Sequence, residues 1–121
     1  MAKILLVEDD QVYVVTVKTA LEKKGFQVVV AEDGDKGFAV ASSEKPDLII
    51  IDIMLPKMDG ITMAKKMKNF GISIPLIFLT NLGDVEHISE AIQVAQTDYL
   101  LKSDCTVEDI VDKVKRKLEK K

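Results

Sequence analysis

Short runs of apolar residues, spaced along the whole chain, constrain the fold more than any other feature of the sequence. Four of them lie at residues 4–7, 28–30, 48–51 and 76–79, and a weaker fifth lies at residues 99–101. Each run has the length of a β-strand, and it lacks the polar alternation of a strand with one face in water. Strands of this kind are covered on both faces, so the pattern predicts a parallel sheet buried between two layers.

The segments between these runs are long enough for the helical crossovers that parallel strands require. The clearest is at residues 106–118, where an apolar stripe recurs at helical spacing. Thr106 is a suitable N-cap for it, and Asp109 stands three residues further on. Helices are also predicted at residues 34–43, 61–69 and 85–95.

The first crossover, residues 11–24, is less clear because its valines favour a strand by propensity. We still predict a helix, since a parallel connection must cross over and Gly25 is placed to end a helix. The regular alternation of strand and helix then predicts an open α/β sandwich, formed by one domain over residues 1–121.

Composition narrows the classes of function. The chain has 121 residues and a formal net charge of −3, which does not suggest a surface for nucleic acid. No apolar run approaches the roughly 20 residues of a membrane span. Its single cysteine, Cys105, excludes an internal disulfide and a multi-cysteine metal site. The first residues lack the layout of a signal peptide, so we expect a cytoplasmic protein with no direct nucleic-acid or membrane partner.

Polar side chains collect where the predicted strands end. In such a sheet, ligands bind beyond the carboxyl ends of the strands, where the strand order reverses. The residues at those ends are Glu8, Asp9 and Asp10, then Asp52, then Thr80 and Asn81, and finally Lys102. Taken singly, the acids could cap a helix, and Thr80 and Lys102 could be ordinary strand-end side chains. Their convergence at one edge favours a shared site.

The chemistry of such a site is coherent. Several carboxylates in one cleft repel each other, and a hard divalent cation such as Mg²⁺ relieves that repulsion. Asp52 follows three isoleucines, where a carboxylate is costly unless it is paired. A carboxylate is also a competent nucleophile for forming an aspartyl phosphate. Positioning and charge stabilisation for phosphoryl transfer could then come from Mg²⁺, Lys102 and Thr80.

These residues lie in motifs that resemble the receiver domains of two-component response regulators, including the single-domain chemotaxis regulators. The motifs are residues 4–10 (ILLVEDD), residues 46–60 (PDLIIIDIMLPKMDG), residues 79–80 (LT) and residues 99–102 (YLLK). The resemblance covers nearly the whole chain, in order and at the family's spacings. It implies a flavodoxin-like (βα)5 three-layer sandwich with a parallel sheet of strand order 2-1-3-4-5.

The resemblance also implies roles for individual residues. It makes Asp52 the phosphoacceptor, and it places Thr80 and Lys102 in contact with the phosphoryl group. Thr80 and Tyr99 match the residues whose movement reports activation. The implied ligands of Mg²⁺, with Mn²⁺ as an alternative, are Asp9 directly, Glu8 mainly through water, Asp52, and the backbone carbonyl of Met54.

On this resemblance, a histidine kinase or phosphotransfer protein donates the phosphoryl group. The chain is then not an enzyme, although it catalyses its own phosphorylation and dephosphorylation. The surface made by residues 85–95, the fifth strand and residues 106–118 would change for an unidentified downstream protein or a second copy of the chain. Two alternatives stay open, a receiver-like interaction module that works without phosphate and a small flavodoxin-like enzyme. The acidic loop after the first strand disfavours a nucleotide-phosphate site.

Three positions depart from the family's pattern. Ser103 follows Lys102, where proline is usual, typically after a cis bond. Residues 95–97 (AQT) replace the common Gly-Ala-Asp. Asn81 follows Thr80, where a small residue is usual, and its longer side chain is expected to narrow access to the site and slow both phosphorylation and hydrolysis.

Overall fold

A five-stranded parallel sheet forms the centre of the computed structural model, which describes residues 2–81 and 98–119. The strands are β1 (Lys3–Val7), β2 (Gln27–Ala31), β3 (Leu48–Asp52), β4 (Leu76–Thr80) and β5 (Asp98–Leu101). Their order is β2-β1-β3-β4-β5, and every neighbouring pair is parallel. The predicted sheet is confirmed, and each strand ends within about one residue of its predicted bounds.

Helices cover both faces of this sheet. Those described are α1 (Gln11–Lys23), α2 (Gly34–Glu44), α3 (Gly60–Asn69) and α4 (Val107–Glu119). All of them were predicted, including α1, whose valines favour a strand. The helix predicted at residues 85–95 lies outside the described part of the chain. None of the described helices has both the length and the apolarity needed to cross a membrane.

The alternation of side chains along each strand divides the core into two layers. In β3, Ile49 and Ile51 belong to the cluster formed with α2 and α3, whereas Leu48 and Ile50 belong to the cluster formed with α1 and α4. All four side chains are fully buried. Burial on both faces explains why the strands read as continuous apolar runs in the sequence.

Local hydrogen bonds fix the ends of the helices. The Asp10 side chain caps α1, and Gly25, with a φ of 92°, takes the left-handed conformation just beyond its end. At α4, the Asp109 N–H donates to Thr106 Oγ1 at 3.1 Å and the Thr106 N–H donates to Asp109 Oδ2 at 2.8 Å. The predicted N-cap at Thr106 is therefore confirmed, and the two residues form a capping box.

Candidate functional site

The carboxyl ends of β1, β3 and β5 bring three charged side chains together. Glu8 follows β1, Asp52 ends β3, and Lys102 follows β5. The Lys102 Nζ donates to Glu8 Oε1 at 2.5 Å and to Asp52 Oδ2 at 3.0 Å. The Lys102 side chain is 15% exposed, and those of Glu8 and Asp52 are 1% and 5% exposed. One ammonium thus offsets two buried carboxylates at the point where the strand order reverses.

Two backbone N–H groups also hold Glu8. Glu8 Oε2 accepts hydrogen bonds from the N–H groups of Asp9 and Asp10 at 3.0 and 3.1 Å. Burial raises the pKa of Glu8 to about 6, because desolvation outweighs the hydrogen bonds from Lys102 and the backbone. For Lys102, burial alone would lower the pKa, but the hydrogen bonds to the two carboxylates outweigh it and the pKa is raised. The lysine therefore stays charged at neutral pH.

Three carboxylates at this edge are close enough to share a cation. One oxygen each from Glu8, Asp9 and Asp52 lies within 4.8 Å of the others. Asp9 is exposed, unlike its two buried neighbours, so it is the member of the cluster that faces solvent. Oxygen-only donors of this kind fit a hard cation that keeps several waters, such as Mg²⁺. The third acid of the loop, Asp10, caps α1 instead. The alternative that these acids cap a helix is therefore correct for Asp10.

An aromatic ring that the sequence analysis did not single out also lies beside Lys102. The centroid of the Tyr13 ring lies 4.6 Å from Lys102 Nζ. In the sequence, Tyr13 belongs to residues 11–24, the segment whose assignment as a helix was less clear. Its place on the first turn, directly after the acidic loop, is the signal that could have linked it to the site.

The sequence profile of the response regulator receiver domain matches residues 4–115, which is most of the chain. The chain belongs to the response regulator receiver domain family. Curated relatives of this receiver domain include longer transcription regulators. It is 35% identical over 100 residues to the alkaline phosphatase synthesis transcriptional regulatory protein PhoP of Bacillus subtilis, covering 83% of the chain and 42% of PhoP. It is 35% identical over 122 residues to the DNA-binding dual master transcriptional regulator RpaA of Synechocystis sp., covering 99% of the chain and 50% of RpaA.

The chain therefore spans half or less of the length of these two relatives.

Among solved structures, the receiver domain of the Francisella response regulator 1452 superposes with a TM-score of 0.90 at 28% identity, covering 98% of each chain. The receiver fold predicted from the sequence is confirmed by this likeness and by the strand order.

The other predicted site residues of the receiver domain lie around the same edge. Thr80 ends β4, beside the strand that carries Asp52, and is fully buried. Its Oγ1 donates to the Asn81 carbonyl at 3.2 Å, and the Asn81 side chain is exposed. The Met54 N–H donates to Asp52 Oδ1 at 3.2 Å. Tyr99 lies on β5 and is 40% exposed. Their roles toward a metal or a phosphoryl group stay predictions.

Gly60 lets the loop after β3 close against the receiver site. A Cβ at this position would lie 2.4 Å from the Asp52 carbonyl oxygen, and the Gly60 N–H donates to the Ile53 carbonyl at 2.8 Å. A backbone oxygen cannot yield as a flexible side chain can. We therefore expect Gly60→Ala to lower the free energy of unfolding by about 2 kcal/mol, measured by urea denaturation.

Gly71→Ala is the comparison for this substitution. Its Cβ would meet nothing within 4 Å, so the variant loses only the glycine preference for a φ of 74°, which costs about 1 kcal/mol. A Gly60→Ala protein as stable as the wild type would show that this close approach does not constrain the loop.

Proposed function

We propose that this receiver domain accepts a phosphoryl group on Asp52 from a histidine kinase or a phosphotransfer protein. The observation that carries the proposal is the buried Asp52 carboxylate, which the Lys102 ammonium contacts at 3.0 Å beside the solvent-facing Asp9. Phosphorylation adds up to about two negative charges, and the Lys102 ammonium beside Asp52 would pair with part of that charge. A preorganised cation of this kind stabilises the transfer without rearrangement of solvent.

In the proposed reaction, a carboxylate oxygen of Asp52 attacks the phosphorus of a donor phosphohistidine. A P–O bond forms to Asp52 as the donor's P–N bond breaks, and the imidazole leaves with the electron pair and takes a proton from solvent. With acetyl phosphate, the bond that breaks is P–O and acetate leaves. Lys102 pairs with a phosphoryl oxygen and the Thr80 hydroxyl donates to another. Later attack by water on the phosphorus returns the free carboxylate and inorganic phosphate, so the chain catalyses both steps on itself.

The acidic cluster suits a bound Mg²⁺, or Mn²⁺ in its place. Asp9, Asp52 and the Met54 carbonyl would hold the ion directly, and Glu8 would act mainly through water. When bound, the cation would supply positive charge that offsets the repulsion between the carboxylates and the phosphoryl oxygens.

Asp9→Ala should weaken Mg²⁺ binding by about tenfold or more, because it removes the solvent-facing carboxylate of the cluster. Titration of the backbone amide NMR signals with MgCl₂ measures the affinity. Asp10→Asn is the matched control, since it neutralises another acid of the same loop and asparagine still caps α1. Equal affinities in wild type and Asp9→Ala would count against the site.

Intact-mass measurement tests the proposed function itself. After incubation with acetyl phosphate and MgCl₂, we expect one phosphoryl group per chain, and none when EDTA removes the divalent cation. A chain that takes up no phosphate under any of these conditions would favour the alternative of an interaction module that works without phosphorylation.

Asn81 is proposed to control access to Asp52. Its exposed side chain follows the buried Thr80 at the end of β4, where the small residue usual in the family would leave more room. A longer side chain there would narrow the path of a phosphodonor and of the water that hydrolyses the product.

The signal is proposed to leave through β5 and α4. When Thr80 donates to a phosphoryl oxygen, it vacates space beside β4 that the half-exposed Tyr99 ring can fill. Asp98 Oδ2 contacts Lys117 and Lys113 of α4 at 3.2 and 3.5 Å, so β5 and α4 are tied together. The surface of β5 and α4 would then bind a downstream protein or a second copy of the chain more tightly. Residues 85–95, which the resemblance adds to this surface, lie outside the described part of the chain.

NMR spectra with a beryllofluoride mimic of the phosphoryl group should therefore show shifts at Tyr99 and along α4, as well as in the loops around Asp52. The expected coupling is a population shift of about 1–3 kcal/mol between existing states. Shifts confined to the loops around Asp52 would show that the domain receives phosphate without relaying it through Tyr99.

A further inference from the structure

Lys102 makes a third contact that the proposed reaction does not use. Its ammonium has three N–H donors, and Glu8 and Asp52 accept two hydrogen bonds from it. The same Nζ lies 4.6 Å from the centroid of the Tyr13 ring, inside the roughly 6 Å range of a cation–π contact. The ring therefore attracts the same charge that the two carboxylates attract.

The acidic loop holds the backbone of Tyr13, and the core supports its ring. The Tyr13 N–H donates to Asp10 Oδ1 at 3.3 Å, and the Asp10 N–H donates to Glu8 Oε2 at 3.1 Å. The ring also packs against the core cluster that joins the sheet to α1 and α4. The backbone that carries the ring is thus linked through Asp10 to one of the two carboxylates that contact Lys102.

The hydroxyl of Tyr13 does not explain why the ring lies beside Lys102. It is buried and has no hydrogen-bond partner in the described part of the chain. Burial raises the pKa of Tyr13 to about 12, so the phenol is neutral. A buried hydroxyl without a partner costs stability rather than adding to it. The contact with Lys102 is therefore made by the aromatic ring alone.

We infer that Tyr13 is a positioning residue for phosphoryl transfer, because its ring holds the Lys102 ammonium at the acidic site while the other partners of the ammonium change. This inference rests on the proposed function of Asp52. Before transfer, Lys102 contacts two carboxylates, and after transfer it must pair with a phosphoryl oxygen. A free lysine side chain has many rotamers, and the ring contact restricts it throughout that exchange.

Leucine at position 13 would keep an apolar side chain against the core and remove the π face. Tyr13→Leu should therefore lower the initial rate of phosphorylation by acetyl phosphate and MgCl₂ by about fivefold. Tyr13→Phe restores the ring and should restore the rate. Val12→Leu is the matched control on the same helical turn, because Val12 is 78% exposed and has no part in the site.

A spectroscopic signature reports the contact without any phosphate. Protons above an aromatic face shift upfield, so the ε-methylene protons of Lys102 should do so in wild type and Tyr13→Phe. The shift should vanish in Tyr13→Leu. An unshifted Lys102 signal in the wild-type chain would overturn the inference.

A double-mutant cycle separates this contact from a purely structural role of Tyr13. With Tyr13→Leu and Lys102→Met, we expect the effects on the unfolding equilibrium constant to be coupled by about fivefold. Additive effects would mean that Tyr13 supports the core without holding Lys102, and would overturn the inference.

Failure of the inference and failure of the proposed function are distinguishable. If the wild type takes up phosphate and Tyr13→Leu does so equally fast, the role of Tyr13 is wrong while Asp52 keeps its role. If the wild type takes up no phosphate, the proposed function fails and the role of Tyr13 in transfer fails with it.

Discussion

Asp52→Asn should take up no phosphoryl group from acetyl phosphate and MgCl₂, whereas the wild-type chain should take up one. The carboxylate is the nucleophile in the proposed step, and an uncharged amide does not replace it. The substitution keeps the shape of the side chain and an oxygen that can accept a hydrogen bond from Lys102 or the Met54 N–H. The fold should therefore persist, which the same urea denaturation measurement checks.

The control for this prediction is Asp10→Asn, which makes the same chemical change at an exposed acid. Asp10 caps α1, and asparagine caps helices as well as aspartate does. Phosphate uptake by Asp10→Asn should therefore match the wild type. A phosphoryl group found on Asp52→Asn would place the acceptor elsewhere, and peptide mapping would then identify it.

The sheet could be predicted from sequence because its strands are buried on both faces. Burial requires every position of β3 and β4 to be apolar until the edge is reached, and the first polar residues, Asp52 and Thr80, mark that edge. The helices could be placed because parallel strands need crossovers, even where the valines of α1 contradict the propensity. The observed ends of the helices differ from the predicted ends by one residue, as at Val107, because hydrogen-bonded caps decide where a helix begins and ends.

The convergence of the site could also be predicted, but its pairings could not. Lys102 lies 94 residues from Glu8 in the sequence, and the 2.5 Å contact between them depends on how far each side chain reaches across the edge. The family resemblance pairs this lysine with a phosphoryl group, so its partners without phosphate were not foreseen. The contact of Lys102 with the Tyr13 ring was missed because it is also one of these partners. The peptide bond between Lys102 and Ser103 is trans, whereas the proline usual in the family typically follows a cis bond.

Lys102→Met should lower the free energy of unfolding by about 3 kcal/mol when no divalent cation is present. Methionine keeps the apolar length of the side chain, but it leaves the Glu8 and Asp52 carboxylates buried without their counter-charge. Breaking a buried ion pair by removing one partner costs about 3–5 kcal/mol. We expect the lower end of that range, because the cluster opens to solvent at Asp9. Urea denaturation of the chain in EDTA measures the loss.

Lys36→Met is the matched control for this loss. The Lys36 side chain is 61% exposed and pairs with Glu32 at 3.9 Å. Pairs of this kind contribute only about 0–1 kcal/mol, so this variant should stay close to the wild type. Equal losses in Lys36→Met and Lys102→Met would show that the buried carboxylates do not need the lysine.

Addition of MgCl₂ should stabilise Lys102→Met more than it stabilises the wild type. A cation that binds only the folded chain raises its free energy of unfolding by RT ln(1 + c/Kd), where c is the concentration of the free cation and Kd is its dissociation constant. In the wild type, the Lys102 ammonium already occupies Glu8 and Asp52, and its charge opposes a second cation beside them. Without that charge, the same carboxylates should bind Mg²⁺ more tightly. Equal stabilisation of the two proteins would mean that the lysine and the metal do not share these oxygens. Lys102 would then keep its partners when Mg²⁺ binds.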